Sequence, residues 1–85
     1  MEILQLKRLQ ALDLFENLMD SIPPEISKLS QLRYLDLGNN EFTQLPSEIE
    51  ALTELKILNL FMNPISKEEI ARIEAMLPHC IVIYE

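Results

Sequence analysis

Two aspartates, Asp13 and Asp36, have a spacing that could bring paired carboxylates together. They are 23 residues apart, and each stands between two leucines in the same local pattern, LDL. On adjacent parallel strands their carboxylates would lie roughly 5 Å apart. Such a pair could bind a basic side chain of a partner, or weakly hold a divalent cation together with Asn59. It could also be a solvated pair whose repulsion is relieved by nearby Arg33.

The other residues capable of catalysis stand alone. The chain has one histidine, His79, and one cysteine, Cys80, and neighbouring strand residues point in opposite directions. We interpret Cys80 as a small buried hydrophobe, with a redox role as the alternative. A loop that cradles phosphate needs several glycines, and the chain has only Gly38. We therefore expect no enzymatic activity, no cofactor and no metal site.

The elements that position these residues are set by an internal repeat. Three nine-residue stretches recur at 23-residue intervals: LQALDLFEN (9–17), LRYLDLGNN (32–40) and LKILNLFMN (55–63). The register continues beyond them, because Ile22, Pro23, Ile26 and Leu29 recur as Leu45, Pro46, Ile49 and Leu52. A fixed period of this length predicts stacked repeats that share one core.

The pattern LxxLxLxxN, followed by an (I/L)PxxI segment, resembles the leucine-rich repeat family. The 23-residue version is similar to the Ras-suppressor-like, scribble-type and bacterial members, and the resemblance covers about residues 3–85. It implies a short right-handed α/β solenoid with a parallel sheet on the concave side and 3₁₀ or helical turns on the convex side. It also implies that Asn17, Asn40 and Asn63 form a ladder along the solenoid. It says little about function, because this scaffold serves many unrelated binding tasks.

The repeats divide the chain into segments of a single domain. Residues 1–8 are a partial repeat, 9–31 the first repeat, 32–54 the second, 55–66 the start of a third and 67–85 a C-terminal cap. Strands are expected near 11–15, 34–38, 57–61 and 80–84.

The cap is predicted to contain a helix and a final edge strand. Ser66 and Glu69 have the spacing of a capping box, and the apolar stripe after them predicts a helix from about Lys67 to Leu77. Leu77, Cys80 and Val82 repeat the spacing of Leu55, Leu58 and Leu60, so that Cys80, Val82 and Tyr84 would close the core.

Residues between the strand leucines should point to solvent and form what we call the sheet face. The predicted columns are Ala11, Tyr34, Ile57 and His79; then Asp13, Asp36, Asn59 and Ile81; then Phe15, Gly38, Phe61 and Ile83. Met62 lies in the turn beside this face, and it would form one contiguous apolar surface with Tyr34, Ile57, Phe61, Ile81 and Ile83. Aromatic residues and methionine are enriched in interface cores. The alternative is that such residues simply favour strands.

We therefore predict protein–protein recognition through the sheet face. The predicted partner-binding residues are Asp13, Phe15, Tyr34, Asp36, Ile57, Asn59, Phe61, Met62, Ile81 and Ile83.

The N-terminal end supports a second hypothesis. Residues 1–6 supply only the tail of a repeat, and solenoids need polar terminal caps to stay soluble. The open end indicates a fragment of a longer protein or a partner that covers Leu6, Leu9 and Leu12. A first helix made from residues 1–10 is the alternative. On this hypothesis the chain is a structural capping fragment that self-associates through its N-terminal end, as a homodimer.

Composition limits the classes of partner. With 14 acidic and 7 basic residues the net charge is −7, whereas nucleic acid and anionic membranes require a basic surface. No apolar run approaches ~18 residues, so membrane insertion is not expected. A single unpaired cysteine fits a reducing compartment, and we expect a cytoplasmic location. Secretion or export is the alternative if a signal peptide precedes this sequence.

Overall fold

Four parallel strands form one sheet in the order of the sequence. The computed structural model describes residues 2–85. The strands are β1 (Ala11–Asp13), β2 (Tyr34–Asp36), β3 (Ile57–Asn59) and β4 (Ile81–Ile83). Each has three residues and is shorter than predicted. After each of the first three strands the chain turns through left-handed backbone, at Glu16, Asn39 and Met62, with φ of 62°, 52° and 62°.

Short helical segments return the chain along the opposite side of the core, which confirms the predicted solenoid architecture. Three are 3₁₀ turns, at Glu2–Gln5, Pro24–Lys28 and Ser47–Ala51, and the fourth is an α-helix, α1, at Lys67–Met76. Pro23 and Pro46 hold extended backbone immediately before two of these turns, with φ of −67° and −68°. A proline there fixes φ and has no N–H group that would need an acceptor, so each turn begins at a defined residue.

The core lies between the sheet and these turns. Leu12, Leu35 and Leu58 pair across β1, β2 and β3, so the motif leucines stack in one row. The fully buried side chains also include Phe42, which packs where the chain leaves the second strand motif. A repeat with this pattern buries its apolar side only by stacking on its neighbours.

The asparagine ladder is present at two of its three predicted positions. Asn40 receives hydrogen bonds at Oδ1 from the backbone N–H groups of Asn17 and Met19, both at 2.9 Å. Its Nδ2 donates to three carbonyl oxygens, those of Leu14, Leu37 and Gly38. Asn63 repeats most of this arrangement one repeat later, but among the described residues its Oδ1 accepts a single N–H, that of Phe42. Asn17 is exposed, and its side chain donates only to the Phe15 carbonyl, at 3.2 Å.

The predicted capping box of α1 is only half formed. The Glu69 N–H donates to Ser66 Oγ at 3.1 Å, as predicted. The Glu69 carboxylate does not return to Ser66; it accepts the N–H of Leu45 at 3.0 Å and pairs with Arg72 at 2.7 Å. Arg72 also donates to the Leu45 carbonyl oxygen. The two charged side chains thus join α1 to the backbone of the second repeat.

The predicted register of the last strand is wrong by two residues. Val82, and not Cys80, pairs with Leu58, and Ile81 and Ile83 pair with Ile57 and Asn59. The ten-residue helix α1 replaces a five-residue 3₁₀ turn, so the 23-residue period does not hold through the cap. His79 therefore precedes the strand, and Tyr84, predicted to close the core, is exposed.

Among residues 2–85, no helix has the length and apolar character that a bilayer-spanning segment requires.

Candidate protein-binding face

The ten predicted partner-binding residues lie on or beside the sheet face. The strand pairing gives two rows across it: Ala11, Tyr34, Ile57 and Ile81, then Asp13, Asp36, Asn59 and Ile83. Phe15, Gly38 and Phe61 continue the face beyond the strand ends, and Met62 follows in the turn. The prediction placed Ile81 beside Asn59 and Ile83 beside Phe61. In the structure, Ile81 lies beside Ile57 and Ile83 lies beside Asn59.

Four large apolar side chains on this face are exposed together at its C-terminal half. We call Phe61, Met62, Ile81 and Ile83 the apolar patch; their exposed fractions are 43%, 57%, 64% and 39%. Ile81 and Ile83 lie on β4, and Phe61 and Met62 lie in the turn after the neighbouring strand β3. Tyr34 and Ile57, predicted to belong to the same surface, are half-buried.

Asp36 differs from the solvated partner of Asp13 that the sequence suggested. Its side chain is only 8% exposed. Its Oδ2 accepts the Tyr34 hydroxyl at 2.9 Å, and its Oδ1 accepts the Gly38 N–H at 2.9 Å and the Asn59 amide at 3.1 Å. No role for Arg33 is needed, because these three donors satisfy the carboxylate. Asp36 therefore holds its neighbours on the sheet face in position.

The hydrogen bond to Asp36 changes the acidity of Tyr34. Asp36 accepts a hydrogen bond from the Tyr34 hydroxyl, and this bond favours the neutral phenol. Partial burial and the negative charges of Asp36 and Asp13 act in the same direction. Together these effects raise the pKa of Tyr34 above its ordinary value of 10.0. Tyr34 thus remains a hydrogen-bond donor to Asp36 at neutral pH.

Asp13 keeps the exposed charge. One carboxylate oxygen accepts the Phe15 N–H at 2.9 Å, and the residue is exposed. Within residues 2–85 the only ion pair joins Arg72 to Glu69, so no basic side chain there neutralises Asp13.

Asp13, Asp36 and Asn59 share a local role that the sequence analysis missed. Each accepts, through its side-chain oxygen, the backbone N–H two residues ahead, at 2.9 Å. Aspartate and asparagine commonly form this bond at the start of a turn. The signal was present in the sequence, since one of these two residue types ends each of the first three strands.

The ring of Phe15 lies over Gly38 on the neighbouring repeat. A Cβ atom added to Gly38 would come within 2.8 Å of the Phe15 ring and 3.1 Å of Asp36 Oδ1. Glycine at this position thus lets Phe15 cover β2, beside the Tyr34–Asp36 pair.

His79 and Cys80 are the remaining side chains with reactive chemistry. In the part of the chain that the structure describes, no three His, Cys, Asp or Glu side chains come close enough together to hold a metal ion. Cys80 is half-buried against the core, and burial raises the pKa of its thiol, which disfavours the reactive thiolate.

Comparison with known proteins agrees with this geometry. A family model for the leucine rich repeat matches residues 7–65. A solved structure of a leucine-rich-repeat protein from Leptospira interrogans is similar to the chain, with a TM-score of 0.94 and 48% sequence identity. The match covers 98% of this chain and 21% of that one, so this chain spans about a fifth of its length. No curated protein matches the chain significantly. From the motif, the fold and these matches, the protein belongs to the leucine-rich-repeat family.

Proposed function

We propose that this domain binds a protein partner through the sheet face, with the apolar patch as the anchor. Leucine-rich-repeat domains generally mediate protein–protein interactions and are typically non-enzymatic scaffolds. The proposal adds the binding face and the residues that bind.

The exposure of the apolar patch is the observation that supports this proposal. A contiguous group of large apolar side chains in water usually marks a contact surface. Strand preference accounts for Ile81 and Ile83 within β4, but it does not account for Phe61 and Met62, which follow β3 in a turn. Aromatic residues and methionine are the types enriched where partners meet.

Two aromatic residues extend the patch towards the N-terminal repeats. Phe15 is 41% exposed, and Tyr34 is held by Asp36 in one orientation. A side chain that is already fixed loses less entropy when a partner binds, so Tyr34 is suited to contribute affinity.

The first test identifies peptides that bind the domain and locates where they bind. A library of short random peptides displayed on phage is selected against the wild-type protein, and the affinity of each selected peptide is measured by titration. We expect the double variant Phe61→Ala, Ile81→Ala to lose at least ~2 kcal/mol of binding free energy, because both side chains are exposed anchors.

Leu18→Ala provides the matched control. Leu18 is 83% exposed and lies outside the sheet face, so its loss removes a similar apolar area elsewhere. Far-UV circular dichroism should show both variants folded. If the double variant bound every selected peptide as tightly as the wild type, the sheet face would not be the binding site.

Self-association through the N-terminal end is the second candidate function. Of the three leucines predicted to need a cover at this end, Leu6 alone is exposed, at 53%, whereas Leu9 is half-buried and Leu12 is buried. In residues 2–85 the side-chain oxygen of Asn17 receives no hydrogen bond, unlike those of Asn40 and Asn63. A second chain that brought N–H groups to this edge would complete the ladder. Sedimentation velocity should then show a concentration-dependent dimer that Leu6→Glu abolishes, and a monomer at all concentrations would contradict it.

The predicted cytoplasmic location remains a prediction.

A further inference from the structure

We propose that the partner segment is an extended peptide carrying an arginine about four residues from a large apolar side chain, with the arginine on Asp13 and the apolar residue on the apolar patch. This inference rests on the proposed function, because it assigns a partner chemistry to the same face.

The negative charge on the sheet face is unevenly distributed. Asp13 and Asp36 occupy the same row, but hydrogen bonds from three neighbours satisfy Asp36, whereas Asp13 remains exposed and unneutralised within residues 2–85. The negative charge offered to a partner therefore lies at the β1 end of the row. At the β4 end the same row finishes in Ile83, within the apolar patch.

The surroundings of Asp13 favour arginine over lysine. Asp13 lies between aromatic residues, because Phe15 follows it on the same face and Tyr34 belongs to the next strand. A guanidinium can bond both oxygens of a carboxylate and at the same time stack on an aromatic ring. A lysine ammonium is a compact, strongly hydrated charge and gains less from this setting.

The width of the sheet sets the spacing between the arginine and the apolar residue of the peptide. Asp13 and Ile83 are three strand intervals apart, which at ~4.8 Å each is ~14 Å. An extended chain advances ~3.3 Å per residue, so about four residues cover that distance. Residues four apart on an extended chain also point to the same side, so both side chains can face the sheet.

The net charge of the domain favours the same ligand. At −7 the protein attracts cationic segments and repels anionic ones. A peptide in which acidic residues replaced the arginine would face this field as well as Asp13.

The probe for the test is the set of peptides selected from the random library. We expect enrichment of sequences with arginine four residues, and not three or five, from Leu, Ile, Met, Phe or Trp, in either chain direction, and depletion of Asp and Glu. For such a peptide, changing its arginine to alanine should weaken binding to the wild type about tenfold, and changing it to lysine should weaken binding by a smaller factor.

The variant Asp13→Asn identifies the residue that receives the arginine. It keeps an oxygen able to accept the Phe15 N–H, so the turn is preserved while the charge is removed. Asp13→Asn should weaken binding of the arginine peptide about tenfold and leave the alanine-substituted peptide unaffected. Glu25→Gln, which removes an exposed carboxylate from a 3₁₀ turn on the opposite side, should change neither affinity.

The outcomes separate this inference from the proposed function. Selected peptides without arginine, or equal binding of the arginine peptide by Asp13→Asn and wild type, would overturn the inference even if Phe61→Ala, Ile81→Ala abolished binding. Retained binding by that double variant would instead overturn the proposed function.

Discussion

On the sheet face, the Asp36 carboxylate fixes three neighbours at once. It accepts hydrogen bonds from Tyr34, Gly38 and Asn59, which belong to two strands and a turn. A nearly buried carboxylate is tolerated here because each of its oxygens has a donor. Asp36, which looked like a free charge in the sequence, thus holds its neighbours in position, and the exposed charge of this row is that of Asp13.

The raised pKa of Tyr34 gives a pH-dependent contribution to stability. A group whose pKa is higher in the folded than in the unfolded protein stabilises fully below its unfolded value, here 10.0, and loses that contribution as the pH rises through the folded value. We expect the wild type to lose stability above pH 10 relative to Tyr34→Phe, which has no phenolic proton to lose.

Urea denaturation midpoints of the two proteins at neutral pH and above pH 10 measure this difference. At neutral pH, Tyr34→Phe should be less stable by about 1 kcal/mol, because one hydrogen bond to a carboxylate is lost. A gap between the two proteins that stayed constant with pH would show that the phenol does not titrate differently in the folded state.

At the scale of elements, α1 is attached to the second repeat by charged side chains as well as by its apolar stripe. Glu69 and Arg72 bond the N–H and the carbonyl oxygen of Leu45, and the Glu69 side chain is only 12% exposed. The hydrogen bond from Arg72 is the main cause that holds the pKa of Glu69 below its ordinary value of 4.5, and the Leu45 N–H acts in the same direction.

Glu69 should therefore contribute stability at neutral pH that is lost in acid. Its lowered pKa means that the contribution is complete above the unfolded value of 4.5 and disappears as the pH falls through the folded value. We expect Glu69→Gln to cost about 1–2 kcal/mol at neutral pH, with the difference from wild type shrinking below pH 4.5. Thermal denaturation of both proteins at neutral pH and below pH 4.5 measures this difference in stability.

Glu68→Gln is the control for that prediction. Glu68 is a neighbouring carboxylate in the first turn of α1 but is exposed. If the two glutamine variants lost the same stability, the effect would belong to the charge of the helix terminus and not to the contact with Leu45.

The elements differ in how far the sequence predicted them. The pairing of β1, β2 and β3 follows directly from the 23-residue period, because equivalent residues of stacked repeats must lie side by side. The register of β4 does not follow, because the number of residues that α1 occupies before the chain re-enters the sheet depends on packing. Similarly, the position of Asp36 on the face was predictable, but its burial depends on the orientation of Tyr34.

At the scale of the whole molecule, the stability of each repeat depends on its contacts with the neighbouring repeats. Each repeat contacts only its neighbours, so an interaction that crosses a boundary between repeats contributes to the whole stack. The ladder residue Asn40 is such a bridge, since it bonds backbone groups of its own repeat and of the preceding one.

Comparison of two ladder positions tests this view. Asn40→Ala leaves several buried backbone groups without partners, and we expect it to cost at least ~3 kcal/mol or to prevent folding. Asn17→Ala removes one hydrogen bond of an exposed side chain and should cost no more than ~1 kcal/mol. Urea denaturation measures the loss in the free energy of unfolding for both variants. Equal losses would mean that the hydrogen bonds of Asn40 to the preceding repeat add nothing beyond the effect of an asparagine in the turn.

The left-handed backbone of Met62 offers a way to raise the stability of the domain. A residue other than glycine in this conformation costs ~1–2 kcal/mol, and asparagine, found at the equivalent Asn39, is better tolerated. Glycine or asparagine at position 62 would relax the chain and remove a thioether from the proposed contact surface. If that surface binds a partner, screening variants for heat resistance alone would weaken the binding, so thermal tolerance and partner affinity must be selected together.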